Sequence, residues 1–123
     1  MNIKGIAWVG TRTDRYEQMR VFCRDVLGLN QTRDADGVAF FDLPNGDRVE
    51  IFSADSNDDT PASRVMAGFL VDDVAAIRAE LEAKGVEFVG PVHSNPEGYS
   101  WTNFRAPDGN EYSLTYFPGH RGE

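Results

Sequence analysis

The sequence predicts an α+β protein built from one duplicated half, each half a strand, a helix and two or three further strands. Three observations carry this prediction. Two turns share one pattern, Pro44-Asn45-Gly46-Asp47 and Pro107-Asp108-Gly109-Asn110, at an offset of 63 residues. Each turn is preceded by an aromatic-bearing strand and followed by a strand of alternating apolar and polar residues. Upstream of each lies an apolar stripe at helical spacing.

In the first half, the opening strand runs from Ile3 to Thr11. Met19, Phe22, Cys23, Val26 and Leu27 then keep the i, i+3, i+4, i+7, i+8 spacing of one helix face. Asp14 stands where an N-cap is wanted, and Gly28 supplies the stop. Val38–Asp42 and Arg48–Phe52 form the hairpin around the first turn. Proline presets φ at the second turn position and glycine accepts positive φ, so the turn is tight. In the second half, Val65–Val71 is the opening strand. Asp73 caps a helix whose stripe is Val74, Ile77 and Leu81, and Gly85 stops it. Trp101–Arg105 and Glu111–Thr115 form the second hairpin. The polar stretch from Ala54 to Ala62 reads as a joint. The organisation is one domain, 1–123, with one module at about 3–54, a linker at about 55–62 and a second module at about 63–118.

Composition sets the class. The 123 residues include 12 Lys and Arg against 20 Asp and Glu, a net charge of −8. That balance repels nucleic-acid backbones and anionic lipid and leans toward a cationic ligand. No apolar stretch reaches the roughly 18 residues of a membrane span. The opening Met1-Asn2-Ile3-Lys4-Gly5 lacks the apolar core of a signal peptide. The single cysteine, Cys23, sits on the helix stripe as a buried, inert thiol, and a cytoplasmic setting is expected.

One helix covers one face of a small sheet. The other face must meet the second half, a second chain or a ligand, so a curved sheet with a ligand in its concavity is expected. Period-two alternation sorts the side chains. Val49, Ile51, Phe41, Tyr112, Leu114 and Phe104 go to the helix side. Val38, Phe40, Asp42, Arg48, Glu50 and Phe52 line the open face, as do Trp101, Asn103, Arg105, Glu111, Ser113 and Thr115. On the opening strands, Ile6, Trp8, Val65 and Ala67 are placed on the helix side, and Ala7, Val9, Met66 and Gly68 on the open side. Tyr99 and Trp101 come after Asn95-Pro96-Glu97-Gly98 and are expected to line a loop over the mouth. His93, after Gly90-Pro91-Val92, and His120 read as solvated loop residues.

Arg24-Asp25-Val26-Leu27-Gly28-Leu29, Val71-Asp72-Asp73 and Phe104-Arg105-Ala106-Pro107-Asp108-Gly109-Asn110 resemble, in that order, three motifs of the vicinal oxygen chelate superfamily. That superfamily includes glyoxalase I, the bleomycin resistance proteins and the extradiol dioxygenases. The resemblance implies two βαβββ modules forming a cupped mixed sheet with helices on its outer face. It also implies a homodimer. Metal-dependent members hold a divalent ion with His or Glu from the first and last strand of each module. Carried over, those positions are Ala7, Glu50, Met66 and Ser113. Only Glu50 is a ligand for a hard ion: alanine has no donor, a thioether is soft, and a neutral hydroxyl is weak. A shift of one residue on the first strand would offer Trp8, which is no better. No metal or other cofactor is therefore expected.

The expected function is sequestration of a planar or cationic small molecule. The ligand-binding residues would be Phe40, Arg48, Glu50, Phe52, Met66, Trp101, Asn103, Arg105 and Ser113, with Trp101, Phe40 and Phe52 as stacking surfaces. Other readings are a metal-dependent lyase, isomerase or dioxygenase with unusual ligands, and a metal-free enzyme. In the latter, Glu50 is the catalytic base and Arg105 or Asn103 steadies an oxyanion. A ligand-sensing module without chemistry is the fourth.

Overall fold

A computed structural model describes residues 1–55 and 65–120. The chain divides into two compact units, Trp8–Met66 and Met1–Ala7 with Ala67–Glu123, called the first and second unit. Most of the expected linker lies outside the described residues.

The elements of the first unit are β1 (Gly5–Thr13, from Trp8 onward), α1 (Tyr16–Val21), β2 (Asn30–Ala35), β3 (Val38–Asp42) and β4 (Arg48–Ser53). Their strands are ordered β2-β3-β4-β1, with β1 parallel to β4 and the other pairs antiparallel. The second unit repeats this with β5 (Val65–Leu70, from Ala67 onward), α2 (Val74–Ala83), β6 (Glu87–Ser94), β7 (Ser100–Arg105) and β8 (Glu111–Tyr116), ordered β5-β8-β7-β6. Each unit is a βαβββ module, as the resemblance implied. The strands β2 and β6 complete the count that the sequence left at two or three.

Both cores sit between helix and sheet. In the first unit Cys23, Ala39, Phe41 and Ile51 are buried, with Tyr16, Met19, Leu29 and Val49 packed around them. In the second, Val71, Val74, Ile77 and Leu114 are buried among Phe69, Leu81, Phe88, Phe104 and Tyr116. The helix-side assignments on β3, β4, β7 and β8 all hold. Burial pushes the Cys23 thiol pKa up, so the inert reading stands.

Helix α2 matches its prediction. The Asp73 carboxylate accepts from the Ala76 N–H at 3.0 Å, and Gly85 takes φ of 89° at the stop. The first helix does not. Asp14 caps nothing; instead the Thr13 hydroxyl accepts from the Arg15 N–H at 3.0 Å. After Val21 the helix widens into a π-turn over Phe22–Val26, closed by the Leu27 N–H on the Phe22 carbonyl at 3.0 Å. The extra residue in that turn rotates the C-terminal end of the helix off the sheet. Phe22, Val26 and Leu27, expected in the buried stripe, are 43%, 69% and 55% exposed.

Candidate functional site

Strand register places the side chains opposite each core. In the first unit Phe40 pairs with Glu50 and Glu50 with Gly10. On either side run Asp42–Arg48–Trp8 and Val38–Phe52–Arg12. Register partners share a face, so the open face of this unit is Trp8, Gly10, Arg12, Val38, Phe40, Asp42, Arg48, Glu50 and Phe52. The structure therefore reverses the assignment expected on the first strand. Trp8, not Ala7, shares the face of Glu50, whereas Ala7 and Val9 alternate to the other side. The equivalence follows from the observed helix starts: Trp8 and Met66 each stand seven residues before the N-caps Arg15 and Asp73, whereas the expected cap Asp14 set the count one residue off. The apolar run Ile6-Ala7-Trp8-Val9 has no alternation to reveal it.

The indole of Trp8 lies across Gly10. A methyl group built on Gly10 would sit 2.9 Å from the Glu50 carbonyl oxygen, 3.0 Å from Cζ3 of Trp8 and 3.2 Å from Cβ of Glu50. Only glycine lets the indole and the Glu50 strand approach this closely. Phe40 is flanked by two guanidiniums, Arg48 at 4.4 Å and Arg33 at 5.6 Å from its centroid. Arg48 Nε donates to Asp42 at 3.0 Å, and its Nη1 stands 4.0 Å from the Glu50 carboxylate. Arg12, 7% exposed, donates to the Ser53 carbonyl at 3.2 Å. The lean toward a cationic ligand taken from net charge finds no excess of carboxylates on this face: Arg12, Arg33 and Arg48 stand with Asp42 and Glu50. A hollow of about 300 Å³ lined by Gly28, Leu29, Asn30, Asp42, Leu43 and Pro44 lies at one edge and shares only Asp42 with this face.

In the second unit Trp101, Asn103 and Arg105 of β7 pair with Thr115, Ser113 and Glu111 of β8. Gly68 of β5 pairs with Ser113 and Leu70 with Thr115. The open-face parity holds here for Gly68, Trp101, Asn103, Arg105, Glu111, Ser113 and Thr115; Met66, which closes the first unit, is 2% exposed. Ser113 and Thr115 are buried, their hydroxyls 2.6 Å apart. Arg105 pairs with Glu87 at 3.3 Å and Glu111 at 3.8 Å.

One placement in this unit corrects the sequence reading, that of His93. Trp101 lies in β7, the strand expected for it, and Tyr99 is fastened just before that strand. The Tyr99 N–H donates to Asn95 Oδ1 at 3.1 Å, and its ring meets Phe117 edge-on at 5.2 Å. His93 lies on β6 as the register partner of Trp101. The two rings stack at 5.5 Å with 22° between planes. Sequence reasoning missed Trp8, Arg12 and His93 as open-face residues, and with them Arg33 of β2, which pairs with Phe40.

The fold family implies a divalent metal, and the donor set can be tested against it. With the register corrected, the inherited positions offer an indole or a glycine, one carboxylate, a thioether and a hydroxyl. The Ser113 hydroxyl already donates to the Leu114 carbonyl at 3.2 Å. One hard donor does not hold a hard ion, which needs several oxygen or imidazole ligands. Among the described residues no cluster of three His, Cys, Asp or Glu comes together. The inherited positions by themselves thus supply one hard donor, Glu50, fewer than a hard ion needs.

Comparisons with known proteins agree with the architecture. The chain is similar to the Mn(II)-bound glyoxalase from Novosphingobium aromaticivorans, at 22% identity and a TM-score of 0.73, covering 93% of this chain and 39% of that one. The chain thus spans well under half the length of that relative. It is also similar to methylmalonyl-CoA epimerase from Mycobacterium tuberculosis, at 16% identity and a TM-score of 0.69, covering 93% of this chain and 88% of that one. A third is a glyoxalase/bleomycin resistance protein/dioxygenase superfamily member from Vibrio splendidus 12B01, at 15% identity and a TM-score of 0.66, covering 89% and 96%. These likenesses show the fold. A search among curated proteins finds no match. Residues 5–114 match the family described as the Glyoxalase/Bleomycin resistance protein/Dioxygenase superfamily, and the chain belongs to it.

Proposed function

We propose that the protein binds a planar small molecule on its open faces without a metal ion and without breaking a bond. The observation that supports this most is the aromatic content of those faces. Phe40 in the first unit and Trp101 in the second are half-buried on the side away from the two helix-packed clusters, and Trp8 and Phe52, 8% and 3% exposed, lie buried beneath the first of these faces. They are set among hydrogen-bonding groups, which is the make-up of a small-molecule site. Planarity is the supported part of the expected ligand. The guanidiniums on Phe40 give no reason to prefer a cation. A homodimer and a cytoplasmic setting belong to the same proposal and rest on the resemblance and the lone cysteine.

Glu50 as a metal-free general base is the second reading. Its support is a buried carboxylate on an open face, 8% exposed, beside Arg48.

Two planar probes of opposite charge, 1-naphthoate and 1-naphthylmethylammonium, test the proposal by calorimetric titration and thermal shift, since a ligand stabilises what it binds. Trp101→Ala is expected to weaken binding by about 1–3 kcal/mol, the range of an aromatic stacking contact, and to leave the thermal midpoint of the free protein nearly unchanged. Unchanged affinity with a large loss of stability would make the indole a packing residue and remove it from the site.

A further inference from the structure

Strand β6 is interrupted where it passes the Trp101 hairpin. Val89 pairs with Asn103, but the next pair is His93 with Trp101. Two extra residues have entered β6 between these pairs, at Gly90-Pro91-Val92. Gly90 takes φ of 81°, which a residue with a side chain rarely adopts. Bulges of this kind re-aim a side chain, and without this one the register would set Pro91 beside Trp101.

The irregularity is held from the helix side. Arg78 of α2 donates through Nη1 to the Gly90 carbonyl at 2.9 Å and to the Thr102 hydroxyl at 2.8 Å. Thr102 is fully buried and in turn donates to the Pro91 carbonyl at 3.3 Å. The Arg78 guanidinium also lies 4.8 Å from the Phe88 centroid, and its Nε faces Glu82 at 3.7 Å. One guanidinium therefore fastens two of the bulge's three carbonyls, Gly90 directly and Pro91 through Thr102. Charge-assisted bonds are about twice as strong as neutral ones, so the hold is firm.

We infer that Arg78 is a positioning residue for the open face: it locks the β6 bulge so that the His93 ring backs the Trp101 indole and fixes that indole for a planar guest. This rests on the reading of Trp101 as a ligand-stacking surface. The device spans the sheet, with the guanidinium on the helix side and the imidazole–indole stack on the other. A pre-set ring costs a guest less ordering than a mobile one. His93 thereby joins Trp101 as a residue that sets the site's preference for flat ligands.

The test is made on the full chain with Arg78→Met, Arg78→Lys, His93→Ala and His93→Phe. The first readout is the NMR shift of the His93 ring protons, which the indole ring current displaces from solvated values. The second is affinity for 1-naphthoate and 1-naphthylmethylammonium. Arg78→Met is expected to return the His93 protons to solvated shifts and to weaken the bound probe about fivefold or more. Arg78→Lys keeps one donor for the Gly90 carbonyl and is expected to restore most of both. His93→Phe keeps an aromatic backing and binding; His93→Ala loses binding as Arg78→Met does. Solvated His93 shifts in the native chain, or an Arg78→Met chain that keeps both the shift and the affinity, would overturn the inference. If the native chain shows the ring-current shift, Arg78→Met removes it, and neither probe binds the native chain, then the planar-guest reading fails while the Arg78 lock stands.

Discussion

Phe41→Ala is expected to lower the unfolding free energy by about 3–5 kcal/mol. Phe41 is fully buried on β3, enclosed by Cys23, Ala39 and Ile51 with Tyr16, Met19, Leu29 and Val49 around them. Truncation removes the transfer free energy of the ring and leaves a cavity whose walls, strand and helix, relax only in part. Natural domains hold only about 5–15 kcal/mol in all, so urea denaturation should show a large fall in the midpoint. The control is the next residue back. Phe40 points to the opposite face, half-buried between Arg33 and Arg48. Phe40→Ala should cost far less stability and instead reduce probe binding. Equal destabilisation by the two variants would mean that the face assignment on β3 is wrong.

Gly10→Val is expected to cost about 3 kcal/mol, at the upper end for overpacking. The first carbon added already lies 2.9 Å from a backbone oxygen of β4, which no rotamer change can relieve. Two further methyl groups must displace the Trp8 indole or separate β1 from β4. Trp8 is 8% exposed, so its displacement should shift its fluorescence to longer wavelength, read in a Trp101→Phe background. Gly10→Ala should show the same shift at a smaller cost. A Gly10→Val chain with native stability and native Trp8 emission would refute the packing of indole over glycine.

The sequence exposed those parts of the fold in which a physical period met a clear boundary. The two hairpins were legible because Pro-Asn-Gly-Asp and Pro-Asp-Gly-Asn fix the turn, and alternation then assigns Phe41, Ile51, Phe104 and Leu114 to the core. Helix α2 was legible through Asp73, Gly85 and an unbroken stripe. Strand β2, Asn-Gln-Thr-Arg-Asp-Ala, was not: it has no buried residue and is held by backbone pairing at an edge, where polar side chains discourage further pairing. Strand β6 was hidden by Gly90-Pro91, which read as a loop because the contacts that make it a bulge come from Arg78 and Thr102, distant in sequence. The π-turn was hidden because a 3.6-residue period assumes one bond per regular turn, and Phe22–Val26 breaks it. The site was half legible for the same reason. Glu50, Phe40, Trp101 and Ser113 come from alternation alone, whereas Trp8 and His93 depend on how strands are registered.

The central claim is that these faces accept a guest without an ion. It is tested most directly by elemental analysis of the untagged, natively purified protein, and then by 1-naphthoate titration before and after chelation and with added Mn(II). The expected result is well under one equivalent of any divalent metal and the same naphthoate affinity in all three states. One tightly held equivalent, with probe binding lost on its removal and regained with Mn(II), would contradict the account.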